Sequence, residues 1–86
     1  MIEPFDDSAP GGDEITEYDR THVKLYLRLL DAETEGADWR EAVTVLFGID
    51  PLAEPQRGSS VHASHLHRAH WMTRKGYLDL LRKGRD

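Results

Sequence analysis

Residues 38–48 spell a short amphipathic helix with both ends marked. Asp38 stands where an N-cap belongs, and Glu41, three residues on, can close a capping box with it. Trp39, Ala42, Val43, Leu46 and Phe47 then follow helical spacing. At ~100° per residue they share an arc of about 140°, as a helix facing a core requires. Gly48 ends the run. Trp39, Leu46 and Phe47 are therefore assigned to the core.

What can cover that face is limited. The chain has 86 residues and no cysteine, which excludes disulfides, Cys-based zinc sites and thiol nucleophiles. Apolar residues make up 38%, a lean supply for a small core. No segment alternates with period two, so no strand is expected. No apolar run approaches the ~20 residues of a membrane span, and residues 1–12 lack the basic and apolar regions of a signal peptide. A cytoplasmic protein is expected.

The other elements must then be helices. Thr16 and Asp19 make a capping-box-like pair opening a first helix over residues 17–34, closed by Gly36. Its apolar side chains cover roughly 220° of the wheel, wider than the usual stripe of ~100°. Leu29 lies at the centre, Val23 and Leu27 on one flank, Leu25 and Tyr18 on the other. Either this helix is buried from two sides, or one flank docks a partner. Pro51 and Pro55 argue against a long helix in the connection that follows residue 48. Ser59 or Ser60 can cap a third helix over residues 59–72, with Leu66 facing the core and Trp71 on the opposite side. A short fourth helix is expected over residues 75–82. Residues 1–14, with Pro4, Pro10, Gly11, Gly12 and five acids, read as a disordered acidic tail. The expected fold is all-α: a small four-helix bundle over residues 15–86 containing a helix-turn-helix-like variant.

The formal charge of −5 hides an asymmetry. Residues 1–19 hold seven acids and no Lys or Arg, whereas residues 56–86 hold two acids, seven bases and four of the five histidines. Arg57, Arg68, Arg74 and Lys75 could contact phosphates, with the third helix entering a groove. Against this, the supposed reading face offers Ala63, Ser64 and His67 where arginines and amides are expected. His62, His65, His67 and His70 form i, i+3 pairs that point to different sides of the helix, with no acid between Glu54 and Asp79, so no metal site is expected. The serines near these histidines form no nucleophile elbow, and the chain carries no Gly-rich phosphate loop. Neither catalysis nor a cofactor is expected.

Leu25-Tyr26-Leu27-Arg28-Leu29-Leu30-Asp31-Ala32, Gly36-Ala37-Asp38-Trp39-Arg40-Glu41-Ala42, Asp50-Pro51, residues 65–73, Gly76-Tyr77 and Leu80-Leu81 together resemble a proteobacterial family, long catalogued as a domain of unknown function. It is the helix-turn-helix-variant domain of regulators of integrative and conjugative elements. The resemblance spans roughly residues 19–82. It implies one of two roles: two-domain activators of the family bind DNA, while stand-alone members act as antiactivators that bind such an activator. This chain is similar to the stand-alone kind, being single-domain and acidic. His62, His67 and His70 stand where DNA-binding members are richer in arginine.

The resulting expectation is an antiactivator whose partner is an activator carrying related domains, with no specific nucleic-acid binding and a monomeric free state. Val23, Leu27, Arg28, His67, Arg68 and Trp71 are the expected partner contacts. Arg57, Arg68, Arg74 and Lys75 serve the alternative, a DNA-binding regulator.

Overall fold

The structure, a computed structural model, describes residues 4–75 of the chain. All regular structure among them is helical: α1 (Glu17–Thr21), α2 (Val23–Thr34), α3 (Trp39–Ala42) running into a π-helical turn (Val43–Phe47), and α4 (Pro55–Arg74). The helix expected over residues 75–82 lies outside the described residues.

The first expected helix is two helices. Thr16 caps α1 with the full reciprocal box: its hydroxyl accepts from the Asp19 N–H, and Asp19 accepts from the Thr16 N–H at 2.9 Å. The break falls at His22 (φ −115°, ψ 21°). Three donors converge on the Tyr18 carbonyl: the His22 N–H at 3.1 Å, the Thr21 hydroxyl at 3.1 Å and His22 Nδ1 at 2.8 Å. Side chains inserted into the helical ladder bend it. The ladder resumes when the Tyr26 N–H reaches the His22 carbonyl at 3.0 Å. Gly36, with φ +77°, closes α2, and the Ala37 N–H bonds back to the Ala32 carbonyl at 2.9 Å.

The second expected helix is α for one turn only. Asp38 caps it by accepting from the Arg40 N–H at 2.8 Å, and the same carboxylate accepts from the Arg40 guanidinium at 3.3 Å; the reciprocal bond expected from Glu41 is not formed. Val43–Phe47 then widens into the π turn, whose Val43 carbonyl accepts from the N–H groups of Gly48 and Ile49. Gly48, with φ +64°, allows the left-handed exit.

Helix α4 starts earlier than residue 59. Pro55 occupies its first turn, where a missing N–H costs nothing and the fixed φ suits a helix. Proline therefore opens this helix, and the connection shrinks to residues 48–54.

Packing centres on α2 and α4. On one flank of α2, Val23, Tyr26 and Leu27 pack with Ala69 and Met72 of α4, with Ile15, Leu30 and Trp71 against them. On the other, Leu25 and Leu29 pack with Val43, Phe47, Ile49 and Val61, with Phe5, Trp39, Leu46 and Leu66 alongside. Both flanks of the wide apolar helix are thus covered. Val23 and Leu27 belong to the core because α4 lies directly on them. Trp39, Leu46 and Leu66, expected at the centre, are half-buried at its edge.

Residues 4–14, part of the expected disordered acidic tail, carry no helix or strand. They are nevertheless seated on the bundle. Phe5 meets Phe47 edge-on at 4.9 Å between ring centres, and the Ala9 N–H donates to the Ser64 hydroxyl at 3.2 Å. We call this segment the strap.

Candidate functional site

Helix α4 carries most of the chemistry. Its inward seam runs Gly58, Val61, His65, Arg68, Ala69 and Met72, all buried. Two of these are polar, and each sits in a closed network.

Arg68 is 2% exposed and Asp19 is 0% exposed. The Arg68 Nε and terminal nitrogen donate to the two Asp19 oxygens at 3.0 and 2.8 Å. The Tyr26 hydroxyl donates to the same carboxylate at 2.7 Å. The remaining Arg68 donors reach the Gly12 carbonyl at 2.6 Å and the Glu14 carbonyl at 2.8 Å. The guanidinium also lies 3.7 Å from the centre of the Trp71 ring. Burial disfavours the Asp19 carboxylate, but the bonds from Arg68, Thr16 and Tyr26 outweigh it and hold its pKa below the usual range. Burial and the neighbouring carboxylate push the Tyr26 phenol upward.

His65 is fully buried. Its Nδ1–H donates to the Val61 carbonyl at 2.8 Å, so Nε2 accepts from the Tyr18 hydroxyl at 2.6 Å. The Tyr18 oxygen in turn accepts from the Asp6 N–H of the strap at 3.1 Å. Burial holds the His65 pKa below its ordinary value, against the pull of the Val61 carbonyl.

Among the residues expected to meet DNA, Arg68 is thus internal, and it is equally unavailable as a partner contact. Arg57 binds Asp7 through Nε at 3.1 Å and a terminal nitrogen at 3.0 Å, and binds Glu54 at 3.3 Å. Arg74 and Lys75 are exposed at the end of α4. Outward, α4 presents a strip of Gln56, Ser59, Ser60, Ala63, His67 and Arg74. Of the other expected partner contacts, Arg28 and His67 are exposed, and Trp71 is half-buried against the α2–α4 core.

A depression of about 280 Å³ lies between the end of α2, α3 and α4, lined by Ala32, Glu33, Ala37, Trp39, His62 and Leu66. Glu33, on its edge, also meets His70 Nε2 at 2.6 Å. The four α4 histidines therefore go to separate places: His65 to the interior, His62 to this depression, His70 to Glu33 and His67 to solvent. A second hollow, of about 140 Å³, includes Arg28, Glu35, Glu41, Val45 and Leu46. Val45 is 63% exposed there, and Leu52 in the connection is 90% exposed. No helix among the described residues is long and apolar enough to cross a membrane.

Among the described residues the site is thus a small all-helical domain in which a short helix and a seven-residue connection lead into a long helix with one open face. The chain belongs to the RovC DNA-binding domain family, described as a T6SS transcription factor DNA-binding domain, which it matches over residues 6–82. No curated protein and no solved structure matches it. The family agrees with the expected transcription-regulator class. Its match also takes in most of the strap.

Proposed function

We propose that this chain is a non-catalytic, cytoplasmic antiactivator, similar to QseM. On this reading it binds an FseA-like activator built from related domains and blocks activation of genes for excision and transfer of a conjugative element. It is monomeric when free and works by domain mimicry, occupying a surface that a related domain would use. The observation that carries the reading is the fate of the basic residues. Arg68 is buried on Asp19, and Arg57, though exposed, is engaged by Asp7 and Glu54, which leaves the exposed Arg74 and Lys75 as the remaining members of the set. Phosphate binding depends on cations free to displace counterions, and a chain of formal charge −5 supplies few here. Arg28, His67 and Trp71 remain the proposed partner contacts.

The second reading is a DNA-binding regulator, favoured by the family and by the open strip of small and polar side chains on α4. A titration against labelled promoter DNA at about 150 mM salt separates the two, because at that ionic strength non-specific binding is weak. The antiactivator leaves bare DNA alone and strips the activator from it. Sequence-selective binding by the chain itself establishes the second reading instead.

A further inference from the structure

The strap follows one flank of α4 in register. Asp7 meets Arg57, the Ala9 N–H meets Ser64, and the Gly12 carbonyl meets Arg68. The three contacts follow the same chain order along the strap and along α4. An acidic segment thus lies along the helix, with Asp6, Asp7, Asp13 and Glu14 bringing negative charge to a flank whose exposed guanidinium is Arg57, Arg68 being buried beneath the segment on Asp19. Only its main-chain groups and Phe5 engage the bundle's interior; the Asp7 carboxylate is spent on an exposed arginine.

We infer that the flank of α4 around Arg57 is a track for a phosphodiester backbone, closed in the free protein by the acidic strap. The strap supplies what a phosphate of a nucleic-acid strand would offer there: an anion with two acceptor oxygens set against the exposed Arg57 guanidinium. Asp7 and Arg57 stabilise each other's charged forms: their hydrogen bond draws the Asp7 pKa down and the Arg57 pKa up. A phosphate must displace that carboxylate to reach Arg57. The inference does not depend on the antiactivator reading, since a closed track serves an antiactivator and a regulated DNA binder alike.

The test uses the full chain and a labelled duplex DNA of arbitrary sequence at low and near-physiological salt, read by fluorescence anisotropy. Asp6→Asn with Asp7→Asn removes charge but keeps Phe5, the Asp6 N–H and the Ala9 N–H in place, so the fold, checked by circular dichroism, persists. The double variant is expected to bind at least about fivefold more tightly than the unmodified chain, with a steeper salt dependence. Adding Arg57→Gln is expected to abolish the gain. Glu35→Gln with Glu41→Gln, which changes net charge equally but lies away from the strap, is expected to leave affinity unchanged. Equal weak binding by the unmodified chain and the strap variant overturns the inference and leaves the antiactivator reading standing. A gain of the same size in the Glu35/Glu41 control also overturns it, reducing the effect to net charge. Tight binding by the unmodified chain and the strap variant alike overturns both.

Discussion

Arg68 and Asp19 face each other through two parallel N–H···O bonds of 3.0 and 2.8 Å, both side chains out of contact with water. This pair joins α1 to α4, and the spare donors of Arg68 join the strap to both. Breaking a buried pair by removing one partner strands the other charge. Arg68→Met is therefore expected to cost about 3–5 kcal/mol in urea unfolding. Arg68→Met combined with Asp19→Asn should cost less than the sum of the single changes, because the stranded charge is gone. Strict additivity would mean that the two side chains act independently.

Leu27 lies in the core, so Leu27→Asp is expected to abolish the helical circular dichroism signal rather than merely weaken partner binding. Losing the side chain alone costs about 2–5 kcal/mol, and burying a carboxylate adds to that. Arg28→Glu, one residue on but exposed, should leave the fold intact and serves as the usable probe of the partner surface. A folded Leu27→Asp variant would mean that α4 does not cover this flank.

Stability should fall as the medium is acidified through the unfolded-state pKa of histidine. Burial holds the His65 pKa below the ordinary histidine value of about 6.5, and lowers that of His62 as well. In the window between folded and unfolded pKa the unfolded chain binds more protons, so stability rises with pH and levels off above the unfolded value. Urea midpoints at about pH 5 and pH 7.5 measure this, and His65→Gln should flatten the dependence. Asp19 acts in a lower window. Its pKa lies below 3.8, so its contribution is present above that value and is lost as pH falls through the folded one.

Gly36 and Gly58 are needed for different reasons. At Gly36 a Cβ would meet open space, but φ is +77°, so Gly36→Ala should cost about 1 kcal/mol from the left-handed conformation alone. At Gly58 the conformation is helical, and a Cβ would stand 3.3 Å from the Trp39 ring, 3.5 Å from Ile49 and 3.6 Å from Val43. Gly58→Leu should therefore overpack the contact between α3 and α4, at about 1–3 kcal/mol by thermal unfolding. A neutral Gly58→Leu would show that Trp39 is free to swing away.

The helical class, the Thr16 box, the Asp38 cap and the stops at Gly36 and Gly48 were legible because each depends on a few neighbouring residues. Apolar residue types alone give the α4 seam at Val61, Ala69 and Met72 but leave out Arg68, whose charge argues for the outside. Counting positions instead, Gly58, Val61, His65, Arg68 and Met72 alternate steps of three and four, the spacing of a packed helix face, with two polar residues on it. Asp19 was read as a cap and is one, but the guanidinium that buries it lies 49 residues away and leaves no local trace. Pro55 reads as a breaker by residue type, but its place in the first turn makes it a starter. The π turn at Val43–Phe47 leaves the apolar spacing of residues 39–47 looking like an ordinary helix.

The strap also sets an order of events during synthesis. Residues 4–14 leave the ribosome before their seats do: Arg57, Ser64 and Arg68 are made 50 to 56 residues later. Short-range contacts such as the Thr16 box and the α2 ladder can close while the chain is still being extended, whereas contacts of such long sequence separation wait for the whole helix. A segment made before α4 therefore settles after it. Until α4 emerges, Phe5 and the acids around it remain free to be engaged by whatever the growing chain meets.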